Sequence, residues 1–181
     1  MKQLTTTLLL LCLSFSFAQK KAEVSDEIVS AIKKDVWIPF MESYNELNSN
    51  KLMSIHSRDI VRVTIDDNQI KSGETYLEYY GKFLNIVKDK GGKVAIAFAI
   101  ASTAVDESEE IAYQTGYYRF STLSKDGEEM VVRGYGYFNV GLKLEDDNVW
   151  RIWLDSDKKA EITDSEFNAH KTVYEIINGP S

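Results

Sequence analysis

The strand-like sequence between Glu110 and Asp155 constrains the fold more than any other part of the chain. Two aromatic-rich segments are joined by a turn at 125–127, and a third segment follows the acidic turn at 145–148. Strand segments separated by turn residues in this way are typical of an antiparallel meander. Glycines inside strands usually mark bulges or sharp curvature, and these segments contain Gly116, Gly134 and Gly136. We therefore predict a strongly bent antiparallel sheet.

Residues 1–18 have the pattern of a secretory signal peptide. Lys2 gives the segment a positive start, residues 4–17 are mostly apolar, and the small-residue cleavage pattern ends at Ala18. The apolar run is too short to favour a membrane span. We expect an exported protein, periplasmic or secreted, that begins with a polar leader at 19–25 and has no membrane contact after cleavage.

Composition argues against several classes of function. The single cysteine, Cys12, leaves with the signal, so the mature chain uses neither disulfides nor cysteine chemistry. The net charge of −7 argues against a nucleic-acid partner, because nucleic acids select basic surfaces. The two histidines, His56 and His170, have no metal-binding spacing, and the sequence contains neither a phosphate loop nor a dinucleotide fingerprint. We expect no metal and no cofactor.

Helical and strand patterns alternate along the rest of the chain. Ser25 is a predicted helix cap, and the helix that follows contains Pro39, which should kink it near Asp35 or Val36. Next come a short second helix, a strand pair, a third helix and the strand that precedes the meander. These segments are Lys51–His56, Ile60–Ile65 with Gln69–Lys71, Ser72–Lys90 and Lys93–Ala101.

Two further patterns concern one face of the sheet and the C-terminus. Alanines at alternate positions over 95–101 form one face of a strand, which indicates that a helix packs very close to that face. Residues 163–166 form a capping box. The capping box predicts a C-terminal helix that ends at about Ile177, within a helical extension at 158–181.

Several segments carry a resemblance to a known family. They are Trp37–Asn50, Leu52–His56, Arg58–Val61, Gly73 and Val149–Asp155. Through them the chain resembles the nuclear transport factor 2-like superfamily, the cone-shaped fold shared by SnoaL-like polyketide cyclases and ketosteroid isomerase. The resemblance implies an α+β domain at 26–157, in which a kinked N-terminal helix and further helices cover a curved antiparallel sheet that forms a cone. The predicted C-terminal helix is an addition to that fold.

The two faces of the meander differ, and their orientation decides where a pocket lies. One face is rich in tyrosine, arginine and tryptophan, and the other is apolar. If the polar-aromatic face points into the cone, it forms the wall of a small-molecule pocket. If it points outward, it is suited to a homodimer interface. The expected pocket residues are Trp37, Tyr44, His56, Tyr80, Tyr117, Arg119, Arg133, Tyr135, Tyr137 and Trp153.

Acid–base chemistry is the reaction type that we consider, with Asp155 as the candidate base. SnoaL-like cyclases and ketosteroid isomerase use an aspartate general base inside the cone, but Asp155, at the end of the last strand, does not match that position. A tyrosine hydroxyl would stabilise a developing enolate oxygen, and an arginine would hold an anionic substrate group. The candidate side chains are Tyr44, Tyr80 and Tyr135 for the first role and Arg119 and Arg133 for the second. Alternatively, Asp155 is a surface carboxylate paired with Arg151 or Lys158.

Three functions are compatible with these features. The first is an exported module that binds a small apolar or aromatic molecule in the cone. The second is an isomerase or cyclase that uses Asp155 together with tyrosine hydrogen-bond donors. The third is a non-catalytic interaction domain that forms a homodimer through its sheet. The superfamily contains proteins of all three kinds, so the fold by itself does not choose among them.

Overall fold

The computed structural model describes residues 24–176, which form an α+β fold around one curved sheet of 7 strands. The predicted signal peptide and residues 19–23 of the leader lie outside the described residues. No helix in the described part of the chain has both the length and the apolar character needed to span a bilayer. The predicted fold class, an α+β cone under a kinked N-terminal helix, is confirmed.

As far as residue 168, the elements follow the predicted order. The helices are α1 (Asp26–Ile32), α2 (Ile38–Asn45), α3 (Ser49–Ser54), α4 (Gly73–Asp89) and α5 (Asp164–Asn168), and a π-helical turn at Lys33–Trp37 joins α1 to α2. The strands are β1 (His56–Thr64), β2 (Gln69–Ser72), β3 (Val94–Val105), β4 (Ile111–Leu123), β5 (Met130–Leu144), β6 (Trp150–Ala160) and β7 (Thr172–Tyr174).

The N-terminal helix changes its winding where the kink was predicted. Ser25 caps α1 by accepting a hydrogen bond from the Glu27 backbone at 3.2 Å. Pro39 has no N–H to donate to the carbonyl one turn earlier, and the preceding turn widens into the π-helical segment, in which the Ile38 N–H bonds the Lys33 carbonyl. A π-helical turn of this kind commonly occurs where the regular hydrogen-bond pattern of an α-helix is interrupted.

The sheet has the strand order β2-β1-β6-β5-β4-β3-β7, and every neighbouring pair is antiparallel except β1 with β6. The predicted meander supplies β4, β5 and β6. Strong curvature brings backbone and side chains close together at two glycines. A Cβ atom at Gly136 would overlap the Tyr118 ring, and one at Gly116 would overlap the backbone of Ala99. Helices α1 to α4 pack on the concave face and leave a cavity between themselves and the sheet, whereas α5 packs on the convex face.

Three bulges interrupt the ladders of the meander and of β3. Each bulge adds one residue to one strand. Beyond the bulge, each side chain therefore lies on the face opposite to the one that strict alternation predicts. The ladder registers identify the extra residues as Ala101 of β3, Arg133 of β5 and Trp153 of β6. The second and third bulges lie beside the cavity and determine which side chains enter it.

The C-terminal segment differs from the prediction after its first turn. The capping box is present, with the Thr163 side chain accepting from the Glu166 backbone and the Glu166 carboxylate accepting from Thr163. The helix does not continue to Ile177 as predicted, because it ends at Asn168 and the chain returns as β7 along the edge of β3. The β-branched and aromatic residues of β7 favour a strand. Their pairing provides hydrogen-bond partners for backbone groups at the edge of β3 that would otherwise be unpaired.

The short helix α5 occupies the position that the alanine row predicted. Phe167 is fully buried and forms a cluster with Ala97 and Ala99, which are 3% and 0% exposed. Small side chains on this face of β3 allow a large ring to lie directly on the sheet. The alanine pattern is therefore explained by close packing of the C-terminal extension.

Candidate functional site

A cavity of about 880 Å³ lies between the concave face of the sheet and the helices α2 and α4. Its size falls within the range of roughly 300–1,000 Å³ that is usual for small-molecule sites. Buried rings from helix and sheet line its deep part, and exposed charged side chains surround its mouth. The deep part is lined chiefly by Trp37, Phe40, Phe98, Phe138, Val140 and Ile152.

A buried polar contact fixes the orientation of the indole at the deep end. The Trp37 Nε1–H donates to Gln114 Oε1 at 2.7 Å, and the amide nitrogen of Gln114 donates to Thr103 at 2.9 Å. The Trp37 ring lies 4.6 Å from that of Phe98 and 5.2 Å from that of Phe138, measured between centroids. This end of the cavity is therefore a rigid aromatic surface. Gln114 was not among the predicted site residues, although an amide flanked by strand residues was a signal of a buried polar role.

A charged cluster lies in the buried part of the cavity wall. Arg62 of β1 contacts Asp155 of β6 at 2.6 Å and Asp157 of β6 at 2.7 Å. Arg62 and Asp155 are direct neighbours in the parallel β1–β6 ladder, so their side chains share the concave face. All three side chains are mostly buried, at 17%, 10% and 14% exposed. Arg62 and Asp157 were not among the predicted site residues, although an arginine within a β-branched strand was an available signal.

The bulge at Trp153 places Asp155 inside the cavity. Ile152 points inward, Trp153 is the extra residue of β6, and Asp155 therefore points inward as well. Simple alternation had grouped Asp155 with Arg151 and Trp153, and that grouping is wrong. The predicted alternative, a surface carboxylate paired with Arg151 or Lys158, is also wrong, because Asp155 is buried against Arg62.

Burial raises the pKa of both aspartates above the ordinary aspartate value. For Asp155 the largest cause is desolvation, which Arg62 opposes by favouring the charged form. For Asp157 desolvation again comes first, Arg62 opposes it, and the neighbouring charge of Asp155 adds to the rise in pKa. Two carboxylates share a single guanidinium, so one negative charge of the cluster has no counter-charge within it.

A layer of tyrosine hydroxyls lies beside this cluster. The hydroxyls of Tyr44 and Tyr80 are 2.8 Å apart, the Tyr76 ring stacks on Tyr80 at 5.5 Å, and Tyr118 donates to Asp157 at 3.2 Å. Burial raises the pKa of Tyr44 to about 12. Burial also raises the pKa of Tyr76 and of Tyr80 well above the ordinary tyrosine value. These hydroxyls stay protonated at neutral pH and are available as hydrogen-bond donors.

His56 lies behind the tyrosine layer and does not line the cavity. Its Nδ1 is 2.9 Å from the Leu52 carbonyl oxygen, so Nδ1 carries the proton and donates. Its ring meets Tyr76 and Tyr80 edge-on. Burial lowers the pKa of His56 to about 4, so the ring is neutral at pH 7. Within residues 24–176, its buried Nε2 has no hydrogen-bond partner.

The structure divides the predicted pocket residues into three groups. The first group lines the cavity and consists of Trp37, Tyr44, Tyr80, Arg133 and Asp155. His56 alone forms the second group, in the layer behind the cavity wall. The third group has its side chains on the outer, convex face and consists of Tyr117, Arg119, Tyr135, Tyr137 and Trp153. The prediction that all these residues share one pocket wall is therefore wrong for the third group.

Arg119 anchors the C-terminal extension and cannot hold a molecule in the cavity. Its guanidinium binds Asp164 at 2.5 Å, pairs with Glu175 and lies 4.9 Å from the centre of the Phe167 ring. Arg133 has a different position, because it is the extra residue of the β5 bulge and reaches the mouth of the cavity. Its Nε donates to Thr122 Oγ1 at 2.6 Å.

The described residues contain no group of three or more His, Cys, Asp and Glu side chains arranged to hold a metal ion. The donors and acceptors that line the cavity are hydroxyls, carboxylates, guanidinium and ammonium groups and an amide. Such groups can orient a ligand and donate or accept protons. The site is therefore suited to ligand binding or to acid–base chemistry.

Comparison with known proteins identifies structural relatives. No protein-family model matches the sequence, and no curated protein matches it. Aln2 from a Streptomyces species is similar in structure, with a TM-score of 0.62 and 10% identity over 75% of this chain and 93% of that one. A ketosteroid isomerase-like protein from Erwinia carotovora atroseptica has a TM-score of 0.54 and 13% identity over 76% and 100%.

A protein with a cystatin-like fold from Nostoc punctiforme is a third example. Its TM-score is 0.53, with 11% identity over 76% of this chain and 95% of that one. At such identities the likeness shows a shared fold and does not transfer a reaction or a ligand. The fold that the sequence resemblance predicted is confirmed, and the chain has the cone-shaped fold of the nuclear transport factor 2-like superfamily.

Proposed function

We propose that the chain is an exported module that binds a small apolar or aromatic molecule in the cavity, with no reaction assigned. The signal pattern at 1–18 supports export. The observation that carries the binding proposal is the cavity itself, which combines aromatic walls with the buried Arg62 cluster and the tyrosine hydroxyls. Small-molecule sites typically have this composition, in which apolar walls supply affinity and a few placed polar groups supply orientation.

The polar groups are held in place before any ligand arrives. Arg62 is fixed by two carboxylates, and Tyr44 and Tyr80 fix each other through their hydroxyls. A ligand that meets such groups loses little free energy to their ordering. The aromatic floor at Trp37 is likewise fixed by its bond to Gln114. The cavity is thus arranged as a preformed site.

A tryptophan at position 134 should block the cavity without disturbing the fold. Gly134 lines the cavity opposite Phe120, and no heavy atom lies within 4 Å of the position that its Cβ would occupy. We expect an aromatic ligand to raise the melting temperature of the wild type in a thermal-shift screen. Gly134→Trp should keep the melting temperature of the free protein and lose most of the shift.

Gly134→Ala is the matched control, because its methyl group leaves the cavity open. It should retain the full ligand-induced shift. An unchanged shift in Gly134→Trp would place the ligand outside the cavity and overturn the binding proposal.

A second candidate function is an isomerase or cyclase that uses Asp155 as its base. The observation that favours it is the burial of Asp155 in the cavity near three tyrosine hydroxyls, with a pKa raised by burial. Asp155→Asn should abolish any turnover found in a screen of isomerase and cyclase substrates. Asp157→Asn, which alters the other carboxylate on Arg62, should retain most of it. Equal turnover in Asp155→Asn and the wild type would exclude Asp155 as the base.

We further propose that two chains associate through the part of the outer face that α5 leaves uncovered. Tyr113 is 42% exposed there, and the rings of Tyr117 and Tyr137 lie 5.3 Å apart. Tyrosine and tryptophan are enriched in interfaces. Sedimentation should give twice the mass of one chain, and Tyr113→Arg should give the mass of a single chain. Tyr79→Arg, which changes an exposed tyrosine at the cavity mouth, should stay dimeric; a single-chain mass for the wild type would refute the dimer.

A further inference from the structure

The charges that line the cavity contrast with those of the chain as a whole. The lining contains five basic and three acidic side chains, a net charge of +2, although the whole chain carries −7. The basic side chains are Arg62, Lys71, Lys82, Arg133 and Lys159, and the acidic ones are Asp67, Asp155 and Asp157. Positive charge is therefore concentrated around the cavity, although the protein as a whole is acidic.

The positive charge is located at the mouth. In the deep cluster, Arg62 is bound by two carboxylates, which leaves that cluster with a net negative charge. The other four basic side chains surround the opening, and three of them are exposed. None of these four forms an ion pair with a carboxylate in the part of the chain that the structure describes. Within residues 24–176, Asp67 is the only acidic residue that lines the mouth beside them.

Four different elements bring these cations together. Lys71 belongs to β2, Lys82 to α4, Arg133 to the β5 bulge and Lys159 to the end of β6. Lys71 also lies over the ring of Tyr79, with its Nζ 3.9 Å from the ring centre. Cations gathered from separate elements around an opening produce a positive potential there, because the low-dielectric walls focus the field.

We propose that the ligand of this cavity is an aromatic carboxylate, whose ring system lies against the Trp37 end and whose carboxylate lies among Lys71, Lys82, Arg133 and Lys159. This inference rests on the proposed binding function. The orientation follows from the charges, because the negative Arg62 cluster repels an anion from the deep part while the mouth attracts it. The aromatic walls accommodate the rings.

The inference is tested with three fluorescent probes that share one ring system and differ only in their head group. Pyrenebutanoate is an anion, pyrenebutanol is neutral and pyrenebutylammonium is a cation. We expect pyrenebutanoate to bind about tenfold more tightly than pyrenebutanol, a factor that corresponds to ~1.4 kcal/mol, and pyrenebutylammonium to bind most weakly. Only the affinity for pyrenebutanoate should fall steeply as salt is added, because salt screens exposed charges.

Charge reversal at the mouth distinguishes the contribution of the probe's head group to affinity from that of its rings. The double variant Lys82→Glu, Lys159→Glu should lose about tenfold affinity for pyrenebutanoate and keep its affinity for pyrenebutanol. The control double variant Lys125→Glu, Lys158→Glu makes the same change in net charge at exposed sites. Lys158 is next to Lys159 but lies on the outer face, near the Tyr137 ring. This control should bind all three probes as the wild type does.

The possible failures are distinguishable. If the alcohol or the ammonium binds as tightly as the carboxylate, the anion inference is overturned while the binding function stands. Equal losses in the two double variants would also overturn it, since net charge alone would then explain the effect. If none of the probes binds, or if Gly134→Trp binds them as the wild type does, the proposed function fails together with the inference.

Discussion

Replacing Arg62 with methionine is expected to lower the free energy of unfolding by about 3–5 kcal/mol at neutral pH. Arg62 is the only counter-charge in contact with Asp155 and Asp157 within the described residues, and all three side chains are mostly buried. Methionine fills a similar volume, so the packing loss is small. The cost comes from two carboxylates that remain in a desolvated site without their cation. Urea unfolding of both proteins measures the difference.

The loss of unfolding free energy in Arg62→Met should depend on pH in a defined direction. Burial already raises the pKa of Asp155 and Asp157 in the wild type, and the Arg62 charge opposes that rise. Without Arg62 the folded-state pKa of both groups rises further above the unfolded value. The folded variant then binds more protons than the unfolded chain, so its stability falls as pH rises above the ordinary aspartate pKa of about 3.9. The difference between variant and wild type should shrink towards pH 4.

A triple variant separates charge from packing. Adding Asp155→Asn and Asp157→Asn to Arg62→Met removes the buried charges and should recover most of the lost stability. Its unfolding free energy should also lose the pH dependence described for Arg62→Met. A loss that is the same at pH 4 and pH 7, or a triple variant no more stable than Arg62→Met, would show that Arg62 acts through its packing.

The fold was predictable because its signals are local. The missing N–H of Pro39 affects only the adjacent helical turn, and the capping box involves only four consecutive residues. The alanine row indicates close packing on the strand to which the alanines belong. Alternation over 94–100 likewise placed the apolar side chains of β3 in the core. Each of these patterns determines the structure of a single helix or strand, and within one element the sequence spacing determines the direction of the side chains.

The site was only partly predictable because it depends on non-local pairing. A single extra residue, Trp153, reverses the face on which Asp155 lies, and no residue type marks that bulge in the sequence. The partner of Asp155 is Arg62, about ninety positions earlier, in a strand that runs parallel to β6. Alternation had placed Asp155 on the same face as Arg151 and Trp153, and the structure separates them. Cavity and outer face were therefore combined into one predicted wall.

The C-terminal extension also depends on a distant partner. Its capping box predicted where α5 begins but could not show where α5 ends. The edge of β3 provides backbone hydrogen-bonding groups for 172–174, and the chain leaves the helix to reach them. The ring of Phe167 packs on Ala97 and Ala99 of β3, and Val173 of β7 packs against the same cluster. These contacts lead to the second large effect that we expect.

Replacing Phe167 with alanine should lower the free energy of unfolding by about 3–5 kcal/mol, the usual cost of removing a buried phenylalanine ring. Phe167 is 0% exposed, contacts Ala97 and Ala99, and has the Tyr135 ring at 5.8 Å. The two alanines cannot expand to fill the space, so a void remains on the sheet. Urea unfolding gives the loss, and hydrogen exchange should show faster opening at 172–174.

Phe167→Leu is the matched control, because leucine refills most of the volume and should restore the larger part of the stability. Arg119 lies over the Phe167 ring and pairs with Asp164 and Glu175, so its contacts weaken together with the ring. The cavity opens on the opposite face of the sheet, and probe affinity in the folded Phe167→Ala variant should stay close to that of the wild type. A loss below about 1 kcal/mol would mean that the alanine row does not depend on α5 for its burial.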